Sequence, residues 1–451
     1  MIWPWFSRAY GASGTEKTQS MDYNAALSYI EGFRGAGINL RLDNIRVLLD
    51  KLGNPHQRLK CIHVAGSNGK GSVCAMTASI LKSEGYKTGL YTSPHLVDFR
   101  ERIQINNRMI TEKQLASLVS EMKPEIDEMN DMPVGPPSYF EVVTALSLFY
   151  FMREEVDYAV VEVGLGGRLD ATNVLNSLVC VVTNVSMDHM KYLGDTIEEI
   201  AGEKAQIIKK NTILVTAADE PAARGVLMRE CMLKDARFVL VDERSFMKLY
   251  LDIRGGGFDY LGPYGIIRSL QIPLLGEHQL INAATAISSV KALGEYGIKI
   301  SDEAIRDGLM NASWPGRLEV VADKPTILLD AAHNPASFTQ LKKALSQLFT
   351  YERLYLVTAV SAGKDYVNMI SQIAPLVHQA VVTGLSEVEH VSRGDLAAEY
   401  SKHGVSVMEA PDMRKALDVA LSKAKKNDVV CVAGSIYAVA QARGLIKNDS
   451  G

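Results

Sequence analysis

Short apolar runs rich in β-branched residues recur along the chain, each followed by a polar or glycine-rich turn and then by a stretch with helical spacing. In the first half they are Leu59 to Val64, Thr88 to Thr92, Ala159 to Val163, Leu178 to Thr183 and Thr212 to Val215. Their alternation with helical stretches from about Asp22 to Ile298 predicts parallel α/β layers. Beyond Trp314-Pro315-Gly316, a natural linker, the alternation restarts: ILLD, a helix near Ser337 to Phe349, LYLVTAV, a helix, AVVTGL, a helix, VSVMEA, a helix from Asp412, and VVCVAGS before a last helix. That pattern predicts a separate Rossmann-like domain, within which Met413 to Ala424 is a core-facing amphipathic helix. The expected organisation is therefore a loose extension over residues 1–20, with Met21 an alternative start, a first domain over 21–314 and a second over 315–451.

The first apolar run ends in IHVAGSNGKGS, residues 62–72. A strand ending at Val64 would deliver Gly66, Ser67, Asn68 and Gly69 as a tight loop with inward-facing N–H groups, because glycine tolerates unusual dihedrals and close approach. Lys70 adds a point charge for β and γ phosphates, and a helix over Ser72 to Glu84 adds its positive N-terminal end. The spacing departs from G-x-x-x-x-G-K-[ST]: Val64 stands where the first glycine would be, and Gly71 separates Lys70 from Ser72. A glycine turn with a solvated lysine is the competing reading.

In parallel sheets the functional loops gather at the carboxyl ends of strands. There the chain places Thr92-Ser93-Pro94-His95-Leu96, then Glu162-Val163-Gly164-Leu165-Gly166-Gly167-Arg168-Leu169-Asp170, then Thr183-Asn184 with Asp188-His189. ATP chemistry needs a divalent cation with hard oxygen ligands, and Glu162, Ser93 and His189 could converge on one or two ions. Taken singly, Ser93 is more often a turn residue before proline and His189 more often a hydrogen-bonded histidine. Glu162 is harder to set aside, since a carboxylate ending an apolar strand is costly to bury unpaired. Gly164 to Gly167 is a weak dinucleotide fingerprint, with Leu169 where its last glycine belongs. Lys204, in a helical stretch from Gly202 to Lys209, is at face value a surface lysine.

Bulk properties narrow the class. With 451 residues, 47% hydrophobic and 22% charged, the chain has material for a large core, and a net charge of −4 offers no surplus for nucleic acid. Cys61, Cys74, Cys180, Cys231 and Cys431 are scattered and sit mostly in apolar runs, which predicts reduced core thiols and a cytoplasmic compartment. The start lacks a sustained apolar segment, and no 18-residue span predicts a membrane helix.

GSNGKGS, TSPHLVDFRERI, SYFE, VEVGLGGRLDATN, DH and EKA, in this order and spacing, resemble the folylpolyglutamate synthase and dihydrofolate synthase family within the Mur ligase superfamily. The resemblance runs from about Met21 over nearly the whole chain. It implies an α/β fold, a P-loop Mur-ligase-type ATPase domain with a parallel-rich sheet followed by a smaller Rossmann-like C-terminal domain, and an active site in the cleft between them. By position, Gly66, Asn68, Gly69, Lys70, Gly71 and Ser72 match the ATP-phosphate loop. Ser93, Glu162 and His189 match magnesium ligands, two ions being expected, and Lys204 matches a lysine that such enzymes carry as a carbamate. Asn282 in GEHQLINAATA, Arg317 in WPGRLE, and Asp330 and His333 in LLDAAHNP match positions assigned to ATP binding, Asp330 and His333 also being candidates to orient or deprotonate the incoming amine. The pterin side resembles the loop Ser93, Pro94, His95 to Arg102, together with Ser138, Tyr139, Phe140 and Glu141 and with Arg168, Leu169, Asp170 and Ala171. Tyr139 and Phe140 equally fit the start of the apolar helix through Leu148. Departures from the pattern are Gln206 where glycine is usual, Ser67 for threonine, and Ser361 to Asp365.

The implied reaction joins glutamate to a pteroate or folate carboxylate: the acid attacks the γ-phosphoryl group of ATP, and the amine of glutamate then attacks the acyl phosphate. Lys70 and magnesium spread the transferring charge. A monomer acting on small molecules alone is expected. The rival readings are a Mur-type ligase of cell-wall peptide precursors and an ATP-switched binding protein.

Overall fold

The computed structural model describes residues 21–36, 41–386 and 388–449, so the expected extension over residues 1–20 lies outside them. The first sheet contains β1 (Cys61–Ala65), β2 (Thr88–Tyr91), β3 (Ile103–Ile105), β4 (Arg108–Met109), β5 (Tyr158–Glu162), β6 (Val179–Val182), β7 (Ile213–Thr216) and β8 (Arg237–Leu240), in the spatial order β4-β3-β2-β5-β1-β6-β7-β8. β2, β5, β1, β6, β7 and β8 run parallel, and β3 and β4 pair antiparallel at one edge. β1, β2, β5, β6 and β7 are buried along their whole length, as uniformly apolar runs require of a sheet covered on both faces.

On one face the helices Lys70–Ser83, His278–Ala292 and Asp302–Met310 supply Val73, Met76, Ile80, Leu280, Ile287 and Ile305 to a shared core. Helices Tyr23–Glu31, Asp43–Lys51, Glu112–Glu128 and Tyr139–Arg153 cover the β2 and β5 half of the other face through Ile30, Leu48, Leu115, Leu146 and Phe151. The chain leaves β1 toward β2 on one side and leaves the adjacent β5 toward β6 on the other, so the order reverses between these two strands and a crevice opens at their carboxyl ends.

Residues between this sheet and helix His278–Ala292 depart from the expected βα alternation. β9 (Phe246–Asp252), β10 (Gly255–Tyr260) and β11 (Ile267–Ile272) form an antiparallel sheet in the order β11-β10-β9. β10 is wholly buried, and its Phe258 and Tyr260 join the same core as the phosphate-loop helix.

The remaining sheet contains β12 (Glu319–Asp323), β13 (Thr326–Leu329), β14 (Leu354–Thr358), β15 (Gln379–Val382), β16 (Ser406–Glu409) and β17 (Val429–Ala433), ordered β12-β13-β17-β14-β15-β16. All its neighbours pair parallel except β12 with β13. Separate apolar clusters flank its two faces, one built on Phe338, Leu341 and Ile370 and the other on Leu417, Val439 and Ala442. Leu96, from the loop after β2, is buried in this second cluster, so the first sheet's loop is anchored in the core of the other half.

Candidate active site

The loop after β1 turns where glycine is obligatory. Gly66 has φ 146°, and a Cβ there would lie 1.8 Å from Thr183 Oγ1; Gly69 has φ 83°, and its Cβ would lie 2.7 Å from Asn282 Oδ1. At Gly71 a Cβ would meet the Trp314 ring at 2.5 Å. The helix behind the loop starts at Lys70, two residues earlier than expected, with Gly69 in a left-handed cap that offers no side chain to the first N–H groups. Those donors face the crevice as an anion cradle. Lys70 Nζ folds over the loop, donating to the carbonyls of Gly66 at 3.0 Å and Ser67 at 3.3 Å, with no carboxylate partner among the described residues. Ser72 Oγ accepts from Gln279 Nε2 at 3.2 Å, and Gln279 Oε1 accepts from Asn282 Nδ2 at 3.0 Å, so Asn282 lies within a helix and reaches the loop rather than capping a helix.

The loop is laced to the end of β6. Thr183 Oγ1 donates to the Asn68 carbonyl at 2.6 Å, Asn68 N–H donates to Asn184 Oδ1 at 2.8 Å, and Ser67 Oγ bonds both to the carbonyl and to the N–H of Ser186.

At the neighbouring strand ends, Glu162 closes β5 in full burial, which pushes its carboxyl up against the pull of Lys70; the Ser93 N–H donates to Glu162 Oε2 at 3.1 Å. Lys204 is 3% exposed, and burial, helped by Lys70, brings its amine down to about 7. The face-value surface reading of Lys204 is therefore overturned: it projects inward from the helix Ile197–Ala205. Glu162 and His189 offer a carboxylate and an imidazole, and no cluster of three or more His, Cys, Asp or Glu side chains stands ready for a metal among the described residues. The donor set suits magnesium's preference for oxygen and retained water but is short of anionic charge, which a carbamate on Lys204 would supply.

Asp188 is the hub between the two halves. It accepts from Lys364 Nζ at 2.6 Å and Asn334 Nδ2 at 3.1 Å, and His333 Nε2 lies 3.7 Å away. Burial opposes its charge, yet His333 and Lys364 hold its carboxyl well below the usual carboxylate range. Asn334 Nδ2 also donates to Asn68 Oδ1 at 3.0 Å, which ties the phosphate loop itself to the C-terminal sheet. Lys364, Asn334 and Asp188 were not singled out from the sequence as site residues; Asp188 in DH and Asn334 in HNP lay in quoted motifs, and nothing in their spacing marks Lys364 as their partner.

Around that seam, Asp330 accepts the N–H groups of Leu318 and Ala332, each at 2.9 Å, and burial pushes its carboxyl up against the nearby Arg317. Asp330 therefore holds the entry of the C-terminal sheet in shape. Arg317 Nη1 donates to the Ala331 carbonyl at 3.3 Å, and His333 Nδ1 donates to the same carbonyl at 2.9 Å, leaving Nε2 toward Asp188.

The expected pterin side is built mostly from satisfied polar groups. Ser138 and Glu141 form a reciprocal helix cap, Ser138 Oγ donating to Glu141 Oε2 at 2.7 Å. Asp170 accepts from Leu165 N–H at 2.8 Å and from Thr172 N–H at 3.0 Å, which fixes the turn after the glycines. Arg168 is exposed and pairs with Glu203 at 2.9 Å, and Leu169 is half-buried beside it. Pro94 is exposed. His95 Nδ1 accepts from Arg102 Nε at 2.8 Å, and burial with Arg102 beside it lowers the His95 imidazole to about 3. Tyr139 begins the helix and lies half-buried between guanidiniums, Arg34 at 4.5 Å and Arg102 at 5.7 Å from its ring centre. The Phe140 ring leaves no room for a side chain at Gly164, where a Cβ would approach it to 2.5 Å.

A phosphate loop at the switch point of a parallel sheet, a buried lysine and carboxylate beside it, and a second α/β sheet closing the crevice define an ATP-dependent ligase of the Mur type. The Mur ligase middle domain matches residues 64–290, and the Mur ligase, glutamate ligase domain matches residues 316–436. The chain is 36% identical to the dihydrofolate synthase/folylpolyglutamate synthase of Bacillus subtilis over 436 residues, 94% of this chain and 99% of that one. Its fold matches the Mycobacterium tuberculosis folylpolyglutamate synthase complexed with ADP and AMPPCP (TM-score 0.87, 33% identity, covering 94% of this chain and 99% of that one). It also matches Escherichia coli FolC in complex with DHPP and ADP (TM-score 0.85, 28% identity, covering 97% of this chain and 100% of that one). This protein belongs to the folylpolyglutamate synthase/dihydrofolate synthase family, as its motifs led one to expect.

Proposed function

We propose that the protein uses ATP to join L-glutamate to the carboxylate of a folate-type acid, either dihydropteroate or a reduced folate, through an acyl phosphate. The observation that supports this most strongly is Lys70 over a glycine loop, unpaired by any carboxylate among the described residues, with buried Glu162 at the adjoining strand end and buried Lys204 on the helix Ile197–Ala205. Lys70 and the first N–H groups of its helix bind the β and γ phosphates, and Asn282 and Arg317 border the nucleotide. The acid lies along Ser93, His95 and Arg102, with Tyr139 and Phe140 beside its ring, while Ser138, Glu141, Arg168, Leu169 and Asp170 shape that pocket. Its carboxylate attacks the γ-phosphoryl group, ADP departs, and the glutamate amine, oriented near His333, displaces phosphate.

Magnesium held by Ser93, Glu162, His189 and the carbamate of Lys204 would neutralise charge on the transferring group. An amine brought to about 7 is substantially uncharged at neutral pH, the form that reacts with carbon dioxide. In this reading the domains over 21–314 and 315–451 meet at this site and the protein acts as a monomer. Buried free cysteines and the absence, among the described residues, of any helix long and apolar enough to cross a membrane agree with a cytoplasmic enzyme.

Phosphate release with ATP, magnesium and glutamate, compared between dihydropteroate and tetrahydrofolate, tests the reading. Turnover with either acid, abolished when glutamate is omitted, is expected. Turnover only with a UDP-sugar peptide would transfer the protein to cell-wall ligation.

A further inference from the structure

Buried in the middle of β1, one residue pair before the phosphate loop, lies a histidine that none of the chemistry above uses. His63 is 0% exposed, held between Val161 of β5 and Cys180 of β6. Its Nε2 lies 2.8 Å from Thr172 Oγ1. The Thr172 hydroxyl has one hydrogen, and it goes to Asp170 Oδ1, a carboxylate oxygen that can only accept, at 2.5 Å. His63 Nε2 must therefore carry the imidazole proton and donate it, which leaves Nδ1 a bare acceptor. Among the described residues Nδ1 has no hydrogen-bond partner. Burying an acceptor without a donor is unfavourable, so an apolar side chain would suit this strand better on packing grounds alone.

The chain of bonds leads to the reacting groups. Asp170 Oδ2 accepts from Leu165 N–H at 2.8 Å, and Asp170 caps the turn Ala171–Val174. Between these anchors the loop rests on the end of the lysine-bearing helix: Arg168 N–H donates to the Glu203 carbonyl at 2.9 Å. A Cβ at Gly167 would come within 2.6 Å of the Glu203 oxygen and 3.0 Å of the Lys204 oxygen. Asn173 Nδ2 reaches the Gln206 carbonyl at 3.3 Å. The loop from Gly164 to Asn173 is thus a cradle for the backbone on both sides of Lys204.

We propose that His63 is a positioning residue: by donating from Nε2 to Thr172 it orients the hydroxyl onto Asp170 and so sets the cradle that places the Lys204 amine at the phosphate site. The inference rests on the ligase reading for its kinetic consequence and on geometry alone for the bond chain. Burial lowers the imidazole to about 3, which keeps it in the neutral donor form at physiological pH.

The test uses the full chain. In His63→Leu, kcat falls about tenfold or more while KM for ATP is unchanged, the size expected when a group supporting a catalytic residue is lost. The melting temperature holds or rises, because the orphaned acceptor has gone. Thr172→Val reproduces the kcat loss, Thr172→Ser restores most of it, and the double variant His63→Leu/Thr172→Val is no slower than either single one, since both cut the same chain. Ring nitrogen NMR on the wild type, with His63 assigned by its absence from His63→Gln, shows proton on Nε2 and none on Nδ1. A protonated Nδ1, a His63→Leu enzyme with wild-type kcat, or independent multiplying losses in the double variant would overturn the proposal. If His63→Leu fails to fold, the Thr172 series and the NMR assignment decide it. A wild type that releases no glutamate-dependent phosphate unseats the ligase reading instead, and the ring tautomer still judges the bond chain.

Discussion

The proposed nucleotide side and the proposed acid side of the crevice are built on opposite plans. On the nucleotide side the cation and the helix start are left for a ligand: among the described residues Lys70 is bound by carbonyls of its own loop and by no carboxylate, and the helix behind it begins without a side-chain cap. On the acid side the motif residues are already engaged with one another, Ser138 with Glu141 and Asp170 with Leu165 and Thr172. A phosphate arriving on the first side finds donors in waiting. On the proposed reading, an acid arriving on the second meets side chains already bonded to one another, buried Arg102 with His95 among them.

The sharpest way to break this contrast is Lys70→Ala. Loss of the one cation over the loop should lower kcat by about 10³-fold, as when charge stabilisation of a transferring phosphoryl group is removed. Its circular dichroism and melting temperature should match wild type, and near-normal phosphate release would contradict the open-donor plan. Next in size is Lys364→Ala, which leaves Asp188 buried with only uncharged Asn334 and the histidines; side-chain exposures of 6% and 14% place this pair among buried ones. A destabilisation of about 3 kcal/mol is expected in urea unfolding, with weaker protection of amides along the seam.

The acid limb of stability gives a third measurement. His63 is held neutral in the fold, its value lowered from 6.5 to about 3. The unfolded chain binds a proton there that the folded one refuses, so stability present above pH 6.5 is lost as pH falls toward 3. The slope for one such group is about 1.4 kcal/mol per pH unit, and His63→Leu should flatten the fall by that amount. Smallest is Ser138→Ala, which removes a helix cap and should cost about 1 kcal/mol of unfolding free energy. KM for ATP should not move, whereas a shifted ATP KM would mean that the two sides are not separate devices.

How far the sequence discloses this molecule differs between elements for physical reasons. The strands around the crevice were legible because burial on both faces demands unbroken apolar runs; β1 and β5 fall within two residues of expectation at either end. The phosphate loop was legible because glycine spacing and a lysine are local properties. β9 to β11 were not separated from the α/β alternation: β10 opens on Gly255, Gly256 and Gly257, which carry no strand signal, and β9 exposes side chains on neighbouring positions instead of alternating them. The Asp188 seam was hidden for another reason. Its partners Asn334 and Lys364 lie 146 and 176 residues away, and no local pattern records an ion pair between separate sheets. Lys204 has the local sequence of a helix-surface lysine, and its burial comes from the loop after β5, which closes over its helix only in the fold.

Trp314 stands in the linker with its indole against Gly71, at the first turn behind the phosphate loop. The chain's other tryptophans are Trp3 and Trp5. With those two changed to phenylalanine, the remaining indole becomes a built-in optical reporter: its emission would follow nucleotide arrival in real time, without a label and before any product forms.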